Sequence, residues 1–464
     1  MDDREAGGFR PPASYRENPA APLRPSPAPH EQADRQDTHS GIPADDGSPG
    51  SYAWVVLAMG SLVVFGALGL ARFGYSMVLP AMQAALGLSN TEAGVVATAN
   101  LAGYVVLSAI AGALASHYGS RVVVTIGLVV AAVGMAFTGL AGGLVAVLVW
   151  RAITGAASGC INVPTMGLMP AWFPPRRRGF ATGMVTVGQS LGLIVAGTAV
   201  PPLVNAFGVQ GWRVCWYLFS VVALVLAGGS YLFLRNRPGD RPFGRLRKAR
   251  PETLTLLNQS DAPNERIGLH RAYRSARIWH LGFVYVAFGF SYIIYMTFFT
   301  KRLVADVHYT ASAAGTLFML MGWCSVLSGV GWGMVSDRLG RKWTLAIVYF
   351  AHVVAFALFA LWPVPTGLTL SAVIFGLTAW SIPAIMAAAC SDILGPRLSP
   401  AGLGFITIFF GLGQAVGPSL AGALADATGS FRVAFLVASG VALLGAIGSL
   451  LLRSEGAEDT MCRV

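Results

Sequence analysis

Length, composition and charge place this chain of 464 residues among membrane proteins. Hydrophobic residues make up 55% of it and charged residues only 11%, whereas a soluble globular domain carries roughly 25% charged residues. The formal net charge of +11 comes from basic residues in short hydrophilic breaks between apolar runs. Because these residues are not interleaved with aromatic side chains on a soluble face, the pattern argues against a nucleic-acid partner. The composition predicts lipid around most of the chain.

The residue types that carry covalent chemistry show no pattern of a catalytic or metal site. No cysteines have the spacing of a zinc site or of a disulfide framework, and each is interpreted as a small apolar side chain. No nucleophile arrangement and no phosphate-binding loop is present, which excludes an ATP-driven pump. We therefore predict no enzymatic activity, no metal and no cofactor. The cysteines are Cys160, Cys215, Cys324, Cys390 and Cys462.

Residues 1–50 differ in composition from everything that follows. The stretch from Pro11 to Pro49 is rich in Pro, Asp, Glu, Arg and Ser and almost free of aliphatic side chains. Such a segment cannot bury enough apolar surface to offset the entropy lost on ordering, so we predict a disordered cytoplasmic tail. It does not resemble a signal peptide, because no short apolar region with a small-residue cleavage site follows it.

From Tyr52 onwards, apolar runs of about 20 or more residues recur, each long enough to cross a bilayer as a helix. They fall into two sets of six, which predicts an all-α membrane protein with two six-helix bundles, 51–235 and 279–453. A basic linker, 236–278, separates the bundles, and a cytoplasmic tail, 454–464, ends the chain. The predicted spans are 52–79, 92–115, 121–140, 143–170, 179–204, 211–234, 279–300, 312–336, 343–362, 367–391, 401–425 and 430–452.

The basic residues between the predicted spans set the orientation. Nineteen lie in loops on one side of the membrane, eleven of them between Arg235 and Arg277, and four lie on the other side. Cytoplasmic loops carry the excess of Lys and Arg in membrane proteins. We therefore expect both termini in the cytoplasm and a multi-pass protein of the bacterial inner membrane. The basic linker either sets this topology alone or also contacts anionic lipid head groups.

The two sets of spans contain a short internal repeat. Gly179-Phe180 and the string from Gly188 to Gly192 recur 225 residues later as Gly404-Phe405 and the string from Gly413 to Gly417. The single offset makes the fifth and eleventh spans equivalent. A duplicated six-helix unit is the layout of carriers that rock one half against the other around a central site.

A string in the predicted loop after the eighth span carries a family resemblance. It reads GMVSDRLGRK and resembles, without a departure, the signature G-x-x-x-D-R-x-G-R-K of the major facilitator superfamily (MFS). A carboxylate at such a helix end can pair with a cation or with the positive end of a helix and latch one side of a carrier shut. The alternative is charge that only sets topology. The motif residues are Gly333, Asp337, Arg338, Gly340, Arg341 and Lys342.

The rest of the chain shares this resemblance. The corresponding string of the first half keeps its glycine spacing but has Ser116 and His117 at the acidic and first basic positions. Arg151, with two glycines at four-residue spacing, resembles the family's fourth-helix motif. Over residues 52–452 the resemblance implies the MFS fold, twelve transmembrane helices in two six-helix pseudo-repeats, and a secondary carrier. Shorter runs are similar to bacterial organic-anion and monocarboxylate-like carriers and to a poorly characterised MFS branch.

Two arginines are predicted inside the membrane, and no acidic residue is. Arg72 lies deep in the first span if that helix continues to Pro80, and Arg151 lies near the middle of the fourth. Ionisable groups at this depth are costly and usually functional, and a permanently charged guanidinium needs an anion. We therefore predict a small organic anion as substrate and Arg72 as its leading ligand. Alternatively, Arg72 extends to the membrane interface and Arg151 donates hydrogen bonds to helix carbonyls.

Neutral polar and aromatic residues inside the spans are predicted to complete the substrate site. Packing also explains an aromatic side chain at this depth, and hydrogen bonding between helices also explains a glutamine. His352 is the one mid-membrane group that titrates near neutral pH, with a structural role as the alternative to ion coupling. The predicted substrate-binding residues besides Arg72 and Arg151 are Asn100, Tyr104, Gln189, Tyr292, Tyr295, Trp323, Trp380 and Gln414.

Three functions are compatible with the sequence, in decreasing order of support. The first is a secondary carrier of a small organic anion that works by alternating access. The second is an exporter of drugs or other hydrophobic compounds, which would need an acidic residue in its cavity. The third is a membrane sensor that does not transport, which would need a folded soluble module. The predicted partners are a small-molecule substrate and the lipid bilayer, with a coupling ion left open, and a monomer is expected.

Overall fold

A computed structural model describes residues 51–174, 177–238 and 275–452 of the chain. Every regular element in these ranges is helical. The predictions for the tail 1–50, for the linker between residues 239 and 274 and for the tail 454–464 lie outside the described residues.

The described ranges contain the twelve membrane crossings that the sequence predicts. Ten segments are long and apolar enough to cross a membrane, or eleven if a pair of helices bent by 42° is one span. One segment, Arg178–Phe233, contains two helices joined by the short turn Gly208–Gln210, which gives twelve. The helices are α1 Ser51–Leu86, α2 Asn90–Tyr118, α3 Ser120–Leu140, α4 Leu144–Trp172, α5 Arg178–Phe207, α6 Gly211–Phe233, α7 Ala276–Ala305, α8 Ala311–Ser325 with Ser328–Leu339, α9 Arg341–Leu361, α10 Pro365–Leu394, α11 Gly402–Thr428 and α12 Arg432–Leu450.

The outer faces of these helices expose large apolar side chains, as a protein surrounded by lipid requires. Val106, Ile126, Val225, Phe350 and Leu444 are each more than half exposed. Soluble monomers rarely expose apolar patches larger than a few hundred Å², so a surface of this kind indicates hydrocarbon around the bundle. The chain is a multi-pass membrane protein.

Several helices extend beyond the predicted spans. Helix α1 continues through Pro80 to Leu86, where Gly87 adopts a positive φ of 65°. Helix α7 continues to Ala305 and includes Arg302, which the sequence placed in a loop. The buried guanidinium of Arg302 donates to the carbonyls of Phe359 and Ala360 at 3.0 and 2.9 Å. These carbonyls lie in the last turn of α9 and lack helical partners. Arg302 supplies the missing donors, which explains why a basic side chain is buried at this point.

The signature string is also more helical than predicted. Its first seven residues belong to the last turns of α8, which ends at Leu339. Gly340 follows with φ 83°, and Gly119 follows α2 with φ 86°. Side chains with a Cβ rarely adopt this conformation, which explains why both loops have a glycine at this point. The shared geometry makes the two loops structural equivalents, as their sequences suggested.

The two six-helix halves meet along two equivalent seams, α2 against α11 and α8 against α5. Both lie towards one end of the bundle, called here the Asn90 end, where α1 stops and α2 begins. Gly94 of α2 lies against the backbone of Pro418, and Gly315 of α8 lies against the backbone of Gly197. Gly94 and Gly315 are 221 positions apart (315 minus 94), as are the loop glycines (340 minus 119). The absence of a Cβ lets the two backbones touch in each seam.

One seam carries a polar lock between the halves. The Asp426 carboxylate accepts hydrogen bonds from the backbone N–H groups of Asn90 and Thr91 at 3.0 and 2.7 Å and from the Thr91 hydroxyl at 2.5 Å. These are the first two amides of α2, which have no partner within their own helix, and a carboxylate there also meets the positive end of the helix dipole. The equivalent of Asp426, 225 positions earlier, is Pro201. In the described chain the other seam therefore has no counterpart of this lock.

Replacing Asp426 with Ala is expected to weaken closure of the Asn90 end. Loss of such a cap costs about 0.5–2 kcal/mol, which shifts the ratio of open to closed molecules by roughly 2- to 30-fold. Spin labels at Ala85 and Ala427, exposed at this end on opposite halves, would report the change by pulsed EPR. The five native cysteines are replaced first, and the long-distance population should then grow in the variant.

Asp306→Ala is the matched control for this experiment. The Asp306 carboxylate lies at the same end and accepts from Ser430 and from the N–H of Phe431, both at 2.8 Å, and from Arg302 at 3.2 Å. All three donors belong to the second half. This variant should lower stability without changing the distance distribution, and an equal shift in both variants would contradict the lock.

Candidate functional site

The first helix is irregular at mid-depth. Its residues Phe65–Phe73 form a π-helical segment of nine residues between two α-helical stretches. Gly69, within this segment, packs against the backbone of Gly192 on α5, where a Cβ on either residue would collide with the other chain. π-helical turns are uncommon and frequently mark functional sites. The only signal of this feature in the sequence is the two glycines of FGALGLARF.

Side chains of helix α4 donate hydrogen bonds to backbone carbonyls of this irregular segment. The Ser158 hydroxyl donates to the carbonyl of Ala67 at 2.8 Å, and the Arg151 guanidinium donates to the carbonyl of Ala71 at 2.5 Å. Asn100 of α2 in turn donates to the backbone carbonyl of Arg151 at 2.9 Å. Arg151 thus makes the hydrogen bond to a helix carbonyl that was one of its two predicted roles. Asn100 lies in the same region and holds α2 against α4.

Arg72 lies in the last turn of the π-helical segment and connects the two halves. Its guanidinium donates to the hydroxyl of Tyr292 on α7 at 3.0 Å, and the Gln414 side chain of α11 donates to the same hydroxyl. The guanidinium carbon lies 5.2 Å from the ring centre of Tyr104, which accepts a hydrogen bond from Asn162. Arg72 is 9% exposed, so it does not extend to the interface. The structure brings together four of the predicted residues, Arg72, Tyr104, Tyr292 and Gln414.

A cavity of about 20 Å³ lies beside these residues, which is room for about one water molecule. Both Arg72 and Arg151 line it, with neutral polar and apolar side chains from α1, α2 and α7, the neutral polar ones being Tyr75, Ser76, Asn100 and Thr297. No acidic side chain lines it, and neither arginine forms an ion pair within the described residues. The cavity therefore presents two buried cations without a protein counter-ion.

Two helices of the second half are also interrupted at mid-depth. Helix α8 bends by 42° between Ser325 and Ser328, and the α-helical pattern of α10 breaks after Thr378 and resumes at Ser381. Interrupted helices at the repeat interface are where carriers build substrate sites. Both interruptions lie at the contact with the first half.

Ser190 of α5 joins these interruptions to the first half. It accepts hydrogen bonds from the Ser325 hydroxyl at 2.8 Å and from the Trp380 indole at 3.0 Å. The Trp380 ring centre lies 5.5 Å from that of Phe73, the neighbour of Arg72. The sequence identified Trp380 as a site candidate, and it identified Gln189, the residue before Ser190. It did not identify Ser190, because a lone serine in an apolar helix carries no sequence pattern of a binding site.

Two predicted residues, Tyr295 and Trp323, lie away from this network, which corrects their assignment to one site, and Gln189 stays a prediction. Tyr295 is fully buried inside the second half, bonded to Ser371 at 2.7 Å. Trp323 is 60% exposed and lies about 200° around α8 from the inward-facing Ser325. Gln189 is half-buried on α5 and has no hydrogen bond to the Arg72 network in the described chain. Period and depth located these residues in the membrane but did not define which face each one occupies.

The signature motif forms its ion pairs within the second half. Arg341 donates to Asp337 at 2.6 Å and to Asp392 of α10 at 2.8 Å. It ties the end of α8 to the end of α10, while Arg338 is exposed and Lys342 is half-buried. Gly333 lies in the last turns of α8. Among the described residues Asp337 forms no ion pair with the first half, and a latch at this point remains a prediction.

The family comparison agrees with this architecture. A family model described as "Uncharacterised MFS-type transporter YbfB" matches residues 64–450. The chain belongs to this MFS transporter family. The match spans both six-helix halves, so the MFS resemblance of the signature motif is confirmed, and the protein is a transporter and not an enzyme.

Relatives with named substrates cover most of this MFS transporter. The hexuronate transporter of Bacillus subtilis is 23% identical over 398 residues, which covers 81% of this chain and 89% of the relative. The phosphoglycerate transporter protein of Salmonella typhimurium is 25% identical, with 80% and 82% covered. A bacterial homologue of the human lysosomal transporter Spinster, in an inward-facing and unoccupied conformation, superimposes with a TM-score of 0.67 at 15% identity, covering 88% of this chain and all of that one. This last likeness establishes the shared fold.

The two buried arginines are expected to differ in what they contribute to stability. Arg151→Gln removes the partner of the Ala71 carbonyl and should lower the free energy of unfolding by about 1–3 kcal/mol, since a buried acceptor is left unpaired. Arg72→Gln should cost less, because the Tyr292 hydroxyl that Arg72 contacts keeps its hydrogen bond from Gln414. The apparent melting temperatures of the two purified variants, measured without substrate, test this. A larger loss in Arg72→Gln would contradict the bracing role of Arg151.

Proposed function

We propose that this MFS transporter carries small organic anions and that Arg72 is their primary ligand. The observation that carries the proposal is the pair of buried guanidiniums that line one cavity with no acidic side chain in the described part of the chain. A guanidinium stays charged at any physiological pH, and a charge at membrane depth is retained where it serves transport. An anionic substrate supplies the missing counter-ion.

The position of Arg72 links substrate binding to movement of the halves. Arg72 belongs to α1 of the first half, whereas its partner Tyr292 and the neighbouring Gln414 belong to the second. An anion that binds the guanidinium beside Tyr292 would change the strength of a bond that crosses the interface. Binding then alters the free-energy difference between the conformations, which a ligand does only through differential contacts. This is the requirement for alternating access in the proposed carrier.

The relatives' names agree with an anionic substrate. A hexuronate is a carboxylate, and phosphoglycerate carries a carboxylate and a phosphate. The aligned region covers more than 80% of the length of each relative, so the similarity spans whole carriers. The likeness supports the same class of substrate for this chain without naming one compound.

The membrane orientation follows from the charge of the loops. The excess of Lys and Arg at the end opposite to Asn90 favours that end in the cytoplasm. The seams and the Asp426 lock would then close the outer side of the protein. Both termini would lie on the cytoplasmic side of a bacterial inner membrane. A monomer belongs to the same proposal, which leaves the coupling ion open.

A thermal-shift assay on the purified protein tests the anion proposal. Galacturonate and 3-phosphoglycerate are compared with neutral galactose and with the cation tetraphenylphosphonium. A ligand that binds the native state at about ten times its Kd stabilises it by roughly 1.4 kcal/mol. The anions should raise the melting temperature of the wild type, and Arg72→Gln should abolish the rise.

Lys301→Gln is the matched control, because it removes one half-buried cation at the Asn90 end, away from Arg72. It should keep the anion-dependent rise. Stabilisation by tetraphenylphosphonium alone, unchanged in Arg72→Gln, would reject the proposal and favour an exporter of hydrophobic cations. Equal losses in both variants would show that net charge, and not Arg72, attracts the anion.

A further inference from the structure

Several buried polar atoms at the candidate site have no hydrogen-bond partner in the described chain, among them Nε of Arg151 and Oγ of Ser76, which line the cavity. Two others, Nε of Arg72 and Oε1 of Gln414, belong to side chains that bond the same tyrosine hydroxyl. The Arg72 side chain is 9% exposed and Gln414 is fully buried. Buried polar groups are nearly always paired, and an exception at a binding site indicates a place for a ligand group. The two orphan atoms differ in kind, because Nε is a donor and Oε1 is an acceptor.

The hydroxyl of Tyr292 joins the two side chains that carry these atoms. It accepts one hydrogen bond from Nη2 of Arg72, at 3.0 Å, and one from Nε2 of Gln414. The guanidinium and the amide are therefore no farther apart than two hydrogen bonds through a single oxygen. With both acceptor positions filled, the hydroxyl still has its own hydrogen to donate. The cluster thus offers donors on the Arg72 side and an acceptor on the Gln414 side.

The ring of Tyr292 is fixed in this position. It stacks on Phe288 with ring centres 4.6 Å apart and lies 5.8 Å from Phe410, with near-parallel planes. Tyr285 also stacks on Phe410, with ring centres 4.6 Å apart. A ring held by neighbours on this scale has little freedom to turn. The spacing of the donors and of the acceptor is therefore set by the fold.

We propose that Gln414 and Tyr292 form a hydroxyl subsite beside Arg72, so that the carrier selects carboxylates with a hydroxyl on the adjacent carbon. The proposal rests on the proposed function, in which Arg72 holds the carboxylate. The carboxylate accepts from Nε and Nη2 of Arg72, an arrangement that a planar guanidinium favours. The adjacent hydroxyl then donates to Oε1 of Gln414.

Other groups fit this subsite less well. A plain carboxylate leaves the Gln414 oxygen without a donor, and an unpaired buried acceptor weakens binding. An ammonium group could donate to it, but it would lie beside the uncompensated cations of Arg72 and Arg151, which line one cavity. A hydroxyl is the neutral donor that satisfies the acceptor without this repulsion. Sites built to bind a hydroxyl reject analogues that lack it more strongly than apolar pockets discriminate by size.

Matched pairs of acids test the subsite on the full-length protein. Malate is compared with succinate, and lactate with propionate, since each pair differs by one hydroxyl on the carbon next to a carboxylate. The midpoint of the thermal stabilisation is measured for the wild type and for Gln414→Leu. The wild type should bind the hydroxylated member about 10-fold more tightly or better, by analogy with other hydroxyl-binding sites. In Gln414→Leu this preference should disappear through weaker binding of malate and lactate, with succinate and propionate nearly unchanged.

Gln83→Leu is the matched control. Gln83 is also a buried glutamine with an unpaired Oε1, but it lies at the Asn90 end and donates to the carbonyl of Leu88 and to Asn90. This variant should keep the full preference for hydroxylated acids. If Gln414→Leu does not fold, two measurements still test the subsite. The first is the ratio of binding midpoints within each pair of acids in the wild type. The second is the same ratio in Gln414→Asn, whose shorter amide should reduce the preference.

Each remaining result contradicts the inference in a different way. Equal binding within both pairs, still dependent on Arg72, would reject the hydroxyl subsite and leave the anion carrier standing. A preference that survives in Gln414→Leu would place the hydroxyl contact elsewhere. A Gln414-dependent preference for succinate over propionate, without one for malate, would mean that the amide presents its nitrogen to a second carboxylate. If no anion stabilises the wild type, both the subsite and the proposed function are wrong.

Discussion

The hydrogen bonds from α4 to the carbonyls of α1 are the interaction on which the candidate site depends. Within a bilayer no water is available to pair a backbone group that has lost its helical partner. The π-helical segment of α1 changes its own backbone pattern, and Ser158 and Arg151 pair the carbonyls of Ala67 and Ala71. This pairing allows an irregular turn to exist at mid-depth, and the turn places Arg72 opposite the second half. One buried arginine braces the helix, and the other bonds the second half through Tyr292.

The lack of a hydrophobic driving force in lipid also determines how the two halves hold together. Apolar association is weak in lipid, so close backbone contact at glycines and a few hydrogen bonds determine the interface. Both seams use glycines, but the carboxylate lock of Asp426 belongs to one seam alone within the described residues. A duplicated fold thus carries an unequal pair of contacts at its closed end. The asymmetry matters because, within the described residues, a carboxylate caps a helix of the other half in the α2–α11 seam alone, so the two seams differ in what opening of that end has to break.

Much of the architecture follows from the sequence, and the reason is local. Twelve apolar runs require twelve helices because a spanning segment must satisfy its own backbone. The offset of 225 residues identifies the duplication, and the positive φ of Gly119 and Gly340 agrees with the repeated loop motif. Arg72 and Arg151 were identified as functional candidates because charge at membrane depth is rare. Local sequence patterns did not identify which face of a helix points to the site, as Tyr295 and Trp323 show.

The sequence by itself determined the class of protein, the number of helices, the repeat and the two cations that need an anion. Only the tertiary structure decided which groups meet those cations. Arg72 bonds a tyrosine 220 positions away, and Asn90 bonds a carboxylate 336 positions away, so neither contact leaves a local pattern. Hydrophobic periodicity ranks faces by burial, and it cannot distinguish a face buried inside one half from a face buried between two halves. The partners of Arg72 depend on that second kind of burial, which exists only once both halves have folded and met.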